Sequence, residues 1–373
     1  MIANAPLSRG WRLFGLIIFF GLSSYYFVVW RSERAQLTDF PPMYGGARLM
    51  QAGEKVYDIN AQCREQARIR SDLCMPFNHS PVLLPLISLI STDDYVASFN
   101  RWCLILALVI LLCVIPAYLL SKDLDASLQL TIFVPLLISV TQGQDTAFLF
   151  LAVITWAALL KANRDFWAGL VLSIGVVKPH ILLLLALPLA FSRARAFLGF
   201  CVGGLIAVLI SLSLVGISGL TGLMEITRIS ATGTTFGVHH ADMYSAVGLF
   251  ARAGLSPYWV WAVFIIALVA TSILWKKHPR SIHALCIGIV ATVFAAPHLL
   301  MHDFAIIAIA IYLIHPFATI AASLLMLTLF GLGAPYLGGY LVMTLTALVH
   351  WNRLHRETSH TASAQSVEPV RPT

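Results

Sequence analysis

The chain has 373 residues, 59% of them hydrophobic and only 11% charged, with a mean hydropathy of +0.83. So little polar surface cannot coat a water-soluble globule of this size, which excludes a soluble enzyme and points to an integral membrane protein. The net charge of +7 sits in short clusters between apolar runs rather than along one face, which argues against nucleic-acid binding and for loops sorted by membrane side.

In chain order, the first apolar stretch runs from Leu13 to Trp30 behind Arg9 and Arg12. Its 18 residues and the lack of a small-x-small cleavage site before Arg31 predict a retained membrane anchor with its N-terminus in the cytoplasm. A long outside loop, about 31–76, follows. Apolar segments then fall at 77–91, 99–120, 127–141, 145–160, 166–177, 180–192, 195–217, 257–275, 281–297, 303–314, 317–331 and 335–350. They predict an all-α polytopic membrane protein, one transmembrane domain over 1–357. Several segments are shorter than the roughly 20 residues of a perpendicular span, so broken or half-length helices are expected, lining a cavity or buried in protein.

Loop charges set the orientation. The turns at 161–165, 192–196, 276–280 and 352–357 are basic and read as cytoplasmic. The turns at 142–145, 177–180 and 297–303, the loop at about 218–256 and the first loop then share the outside face. Between the first loop and the turn at 142–145 lie three apolar segments where an even number of crossings is required. Either 77–91, with Pro81 and Pro85, or 127–141 therefore fails to span. The sum is about 12 transmembrane helices with both termini cytoplasmic. The Ser-, Thr- and Pro-rich stretch 358–373 reads as a disordered cytoplasmic tail.

Cys103, Cys113, Cys201 and Cys286 lie in apolar runs, as packing thiols do, whereas Cys63 and Cys74 share the outside loop. In an oxidising compartment those two are a possible disulfide, with two unpaired thiols as the alternative. No CxxC or Cys/His spacing calls for a metal, and no cofactor is expected.

The outside face collects the chemistry. Asp39, about nine residues beyond the first helix, is placed to act as a general base for a hydroxyl attacking a substrate at the membrane surface; a solvated charge or a helix cap in "LTDFPP" is the alternative. Lys178 interrupts what is otherwise one apolar run and is followed by a proline. Such a cation suits a phosphate, or snorkels from a helix end. "TQGQDTAFLF" brings Gln142, Gly143, Gln144 and Asp145 to a helix start, either as outward-pointing dipoles or with Asp145 as a plain cap. "APHLLMHDFAII" carries His298, His302 and Asp303. The histidines have i, i+4 spacing but no third metal ligand in register, so they read as polar lining of a hydroxyl-rich substrate site or as interface histidines without a role. His239, His240 and Asp242 in the second outside stretch are open in the same way.

With "DFPPMYGGARLMQAGEKVYD", "FNHSPVLLPLI", "QGQDTAFLFLAVITWAALL", "DFWAGLVLSIGVVKPHILLLLALPLAF" and "SRARAF" in this order, the chain resembles the multipass glycosyltransferases of the GT-C superfamily. Within them it is similar to glycosyltransferase family 87, the polyprenol-phosphate-mannose-dependent mannosyltransferases and their bacterial relatives, over roughly residues 12–350. The resemblance implies a GT-C fold in the bacterial inner membrane with a periplasmic active site. It implies inverting transfer of mannose or another hexose or pentose from a polyprenyl-phosphate sugar, a co-substrate, to a glycan or glycolipid acceptor. It also implies Asp39 as base, Lys178 facing the lipid-phosphate leaving group and Gln144 lining the site. Tyr44, His79, Gln142 and His180 stand in the matching segments and are expected to line it too, as are His298, His302 and Asp303 in "PHLLMHD", where the match is looser. A polytopic transporter or lipid-linked-sugar flippase is the other reading, since Gly- and Pro-interrupted helices also serve transport. The absence of an evident inverted repeat, and the gathering of polar groups at one face, argue against it.

Overall fold

The computed structural model describes residues 38–72, 74–230 and 239–365, and every regular element among them is helical. The anchor expected at 13–30 lies outside the described residues.

The segment expected as the first external loop is folded over its described residues. Helix α1 (Phe40–Gln51) carries Pro41 and Pro42 in its first turn, where the missing N–H costs nothing, and buries Phe40, Met43, Tyr44 and Ala47. Asp58 caps α2 (Ile59–Ala67) by accepting from the Ala61 N–H at 2.9 Å. Cys63 on α2 is disulfide-bonded to Cys74, with 4.4 Å between their Cα atoms.

After the short α3 (Leu84–Ile90), helices α4 (Tyr95–Leu112) and α5 (Val114–Ser121) form one apolar rod of 27 residues. Next come α6 (Leu124–Leu130) and α7 (Val134–Thr141), bent by 52° at their junction, where Pro135 opens the second helix. Both segments suspected of not spanning are thus irregular: Pro81–Ile90 is too short, and Leu124–Thr141 is broken.

Helix α8 (Thr146–Lys161) is followed by α9 (Asp165–Leu172), a 3₁₀ turn (Ser173–Val177), α10 (Pro179–Ala186), α11 (Leu189–Ser192) and the 37-residue α12 (Ala194–Ser230). Glycines let α9 and α12 touch. A Cβ on Gly169 would lie 1.7 Å from the Ala196 carbonyl oxygen, and one on Gly199 would lie 2.0 Å from that of Phe166. Such small-residue contacts replace the hydrophobic drive that lipid does not supply. Helix α12 turns at Gly216, φ 65°, and exposes Leu198, Leu205 and Leu209.

The chain continues through α13 (Ala246–Arg252), α14 (Val260–Lys277), α15 (Ile282–Ala295), a 3₁₀ turn (Asp303–Ile306), α16 (Ile307–Tyr312), α17 (Pro316–Gly331) and α18 (Pro335–Gln365).

One expectation is met in part and two need correction. Tyr95–Ser121, Ala194–Ser230 and Pro257–Lys277 are long and apolar enough to cross a membrane, four spans result if the bent pair counts as one, and the shorter apolar helices hold 10–17 residues. Helix length and composition thus give three to four clear spans and several short apolar helices, as expected of a chain with broken helices, without establishing the 12 crossings counted from the sequence. The loop expected from 218 is helical to Ser230, with Ile226 buried. Residues 358–365 continue α18 instead of forming a tail, and the Thr358 and Ser359 hydroxyls donate to the His355 carbonyl inside that helix.

Candidate active site

Four breaks in the helical frame meet at one place. At 142–145, Gly143 adopts φ +70°, which an L side chain tolerates poorly. A Cβ there would also press on Phe40 at 3.0 Å and Phe99 at 3.1 Å. Its carbonyl accepts from the Trp102 indole N–H at 2.8 Å. The tight turn aims Gln144 and Asp145 away from α7.

At 173–178 the helix tightens to 3₁₀ and stops. Pro179 disfavours helical geometry in the residue before it, and Lys178 is extended at φ −133°, ψ 73°. The third break is the turn between Ala295 and Asp303, holding His298 and His302. The fourth is the start of α1, where the Asp39 N–H donates to the Gln142 carbonyl at 3.0 Å.

Between these breaks lies a cavity of about 130 Å³. Asp39, Asn78, His79, Gln144, Lys178 and His180 form part of its wall, His298 and His302 another part, and Pro42, Met75, Pro76 and Leu300 the apolar remainder. Asp39 stands at the N-cap position of α1 but caps nothing. Among the described residues its carboxylate has no hydrogen-bond or ion-pair partner.

Lys178 is the opposite case. It is 8% exposed, and its Nζ lies 2.8 Å from Asp303 Oδ1 and 3.4 Å from Asp145 Oδ1, with Gln144 Oε1 at 3.4 Å. Both carboxylates are fully buried. Asp145 also faces His79 Nδ1 at 2.8 Å. Asp303 accepts from the Thr146 hydroxyl at 2.8 Å and from the Leu300 N–H at 3.4 Å. Burial disfavours the ammonium, but Asp303 and Asp145 outweigh it and hold the proton firmly on Lys178. Burial likewise opposes ionisation of Asp145, and Lys178 and His79 overcome it, lowering the carboxyl's affinity for protons.

The histidines behave differently. Burial pushes His298 down to about 3 and His302 in the same direction, so both are neutral hydrogen-bonding groups at pH 7. His180 packs edge-on to His298, ring centroids 5.8 Å apart, and its Nε2 is buried without a hydrogen-bond partner among the described residues. A buried polar atom on a cavity wall without a partner is a natural place for a substrate hydroxyl or phosphate oxygen.

The structure thus brings Asp39, Lys178, His79, Gln144, His180, His298 and His302 to one cavity. It does not bring Tyr44, Gln142 or Asp303 to its wall. Tyr44 is 6% exposed, packs edge-on to Tyr95 and donates its hydroxyl to the Thr92 carbonyl at 2.6 Å, so it belongs to the aromatic core. Gln142 contributes the backbone oxygen that holds Asp39, and Asp303 lies behind Lys178.

Sequence reading missed the part played by Asp145. It occupies the N-cap position of α8 without a capping bond and turns to Lys178 and His79. The signal available was a lone buried lysine, which needs more than one counter-charge to stay ionised. His239 is exposed and His240 half-buried, and Asp242 accepts from the Tyr336 hydroxyl at 3.3 Å; none of the three lines the cavity. Among the described residues no three His, Cys, Asp or Glu side chains gather as metal ligands.

A frame of apolar helices whose broken ends converge on a polar cavity is an arrangement that suits a membrane-embedded enzyme. Residues 77–301 match the family model of glycosyltransferase family 87; that stretch is more than half of the chain, which therefore belongs to this family and is a membrane glycosyltransferase. The matched stretch contains His79, Gln144, Lys178, His180 and His298, while Asp39 precedes it and His302 and Asp303 follow it. No curated protein and no solved structure matches the chain.

Proposed function

We propose that the protein transfers a sugar, mannose or a related hexose or pentose, from a polyprenyl-phosphate donor to a glycan or glycolipid acceptor at the periplasmic face of the bacterial inner membrane. The observation that carries this reading is an unpartnered carboxylate, Asp39, on the wall of the same cavity as Lys178.

The acceptor hydroxyl approaches Asp39 and attacks the anomeric carbon from the face opposite the phosphate. As the new C–O bond forms, the hydroxyl proton passes to Asp39 Oδ. The bond from the anomeric carbon to the phosphate oxygen breaks, and its electron pair leaves with the polyprenyl phosphate. Configuration inverts. General-base assistance of this kind contributes about 10²–10⁴-fold to rate.

The leaving phosphate gains negative charge, and groups fixed in advance stabilise it without reorganisation. Lys178 presents its ammonium on the cavity side while Asp303 and Asp145 hold it from behind. One ammonium and two carboxylates leave that cluster at −1, so Lys178 alone does not neutralise a phosphate. The imidazoles of His180, His298 and His302 complete the phosphate contact.

The test is single-turnover transfer from polyprenyl-phosphate mannose, and from its arabinose counterpart, in lipid nanodiscs with glycolipid acceptors. Asp39→Asn is expected to slow transfer at least ~100-fold with little change in donor affinity. An Asn variant as fast as the parent removes Asp39 as the base. No transfer by the parent from either donor removes the polyprenyl-phosphate reading.

A further inference from the structure

Two helix runs that begin at the candidate active site end together elsewhere. Helix α8 starts beside Asp145 and runs 16 residues to Lys161, about 24 Å at 1.5 Å per residue. The pair α10–α11 starts beside Lys178 and ends at Ser192. At that far end lies a cleft of about 950 Å³, lined in part by Leu160, Leu189, Leu285 and Trp275. Its rim holds Lys161, Arg193, His278 and Arg280.

A second hollow of about 520 Å³ adjoins it and shares His278 and Thr358. Its lining is almost wholly apolar, with Ile273, Leu274, Ile287 and Leu354 along it and the exposed Trp351 at its side, and Lys277 stands on its edge.

The two hollows differ in what their cations are free to do. Arg193 is already engaged by Asp165 at 2.6 Å and by the Pro279 carbonyl, and Lys161 by the Leu120 carbonyl at 2.5 Å. Lys277 and Arg280 are exposed and have no partner among the described residues. Glu357, an acid on the same wall, is taken by the Ser281 hydroxyl at 2.8 Å. Glu357 keeps its charge and also lies 3.5 Å from His283 Nε2, but Lys161, Arg193 and Arg280 outnumber it on the cleft wall, so the cleft offers excess positive charge at the end of the helices, with an apolar trough running from it along α14, α15 and α18.

We infer that this paired cleft is a binding site for an anionic phospholipid of the leaflet at the basic end of the protein. Its phosphate sits between Arg280 and Lys277, and its acyl chains lie in the trough beside Trp351. Charge complementarity selects the headgroup, as basic pockets between membrane helices do. The apolar trough continuous with it selects a lipid over a free anion or an acidic protein segment. The site lies on a different wall, at the other end of α8, from the cavity of Asp39 and Lys178, and it does not depend on the catalytic reading.

The experiment is native mass spectrometry of the full chain released from detergent micelles titrated with palmitoyl-oleoyl phosphatidylglycerol or with the matching phosphatidylcholine. One tight phosphatidylglycerol is expected per chain, with weaker and unsaturable phosphatidylcholine. Each cation at a membrane surface adds about fivefold in affinity, so the Lys277→Gln/Arg280→Gln variant is expected to lose on the order of 25-fold for phosphatidylglycerol and to leave phosphatidylcholine unchanged. Both side chains are exposed and unpartnered, so the variant keeps its fold, and an unchanged melting temperature verifies that. Equal binding of the two lipids by the parent overturns the inference, as does a variant that binds phosphatidylglycerol as the parent does. Displacement of the lipid by millimolar inorganic phosphate also overturns it, in favour of a soluble anion.

Discussion

Lys178→Met removes one ammonium from between two fully buried carboxylates. Asp145 would keep His79 at 2.8 Å, whereas Asp303 would keep only the Thr146 hydroxyl, the Leu300 N–H and the weakly placed His302 at 3.5 Å. Breaking a buried ion pair from one side costs about 3–5 kcal/mol, and here most of it falls on Asp303. At about 2 °C per kcal/mol for a chain of this size, the melting temperature in detergent, followed by the loss of the monodisperse peak on size-exclusion chromatography after heating, is expected to drop by about 6–10 °C. The double variant Lys178→Met/Asp303→Leu removes the stranded charge with the ammonium and recovers about half of that loss, because the two sites share one interaction. If the double variant is as unstable as the sum of the two singles, the pair is not coupled and the account of Lys178 as held from behind by Asp303 is wrong.

Three further outcomes follow from the same structure. Burial keeps His298 and His302 neutral in the free protein, and a phosphate beside them raises their proton affinity. Binding of polyprenyl phosphate is therefore expected to take up protons and to tighten as pH falls from 7.5 to 6; calorimetry in two buffers of different ionisation enthalpy measures the uptake, and His298→Gln/His302→Gln should abolish it. Closing the loop between Cys63 and Cys74, separated by 11 residues, stabilises by about 2–3 kcal/mol in the chain-entropy account, so Cys63→Ser/Cys74→Ser is expected to melt several degrees lower than the parent. Gly199→Ala sets a methyl carbon 2.0 Å from the Phe166 carbonyl oxygen; α9 and α12 must separate, and expression of folded protein is expected to fall severalfold, whereas Gly204→Ala, with open space around it, leaves it unchanged.

The outer-face chemistry was legible because polar residues in an apolar chain are conspicuous. Lys178 before Pro179, His298 and His302 around Pro297, and Gln144 after Gly143 each mark a place where helix geometry fails, and the structure joins those places. Asp39 was legible for the same reason, although whether its side chain caps α1 depended on a rotamer that no pattern encodes. What stayed hidden was pairing across the fold. Asp303 resembled a lining residue and Asp145 a cap, since sequence does not tell which carboxylates turn inward to meet one ammonium. Tyr44 misled through its neighbours, for its hydroxyl seeks the Thr92 carbonyl across 48 residues of chain. The charge count points to 77–91 or 127–141 as the irregular segment, and Pro81–Ile90 is short while Leu124–Thr141 is bent; hydropathy records apolar content but not the bend before Pro135.

The backbone hydrogen bond that holds the proposed base has a consequence for how the segment around it can change. Asp39 belongs by sequence to the external segment, yet its N–H is tied to the Gln142 carbonyl, in the turn that leads into α8. The acid is therefore fastened to the scaffold upstream of everything the outer segment does next. Between Gln51 and the cavity residues that begin at Met75, that segment can be lengthened, shortened or recharged while the carboxylate keeps its station, a separation that lets the surface vary and the proposed base stay fixed.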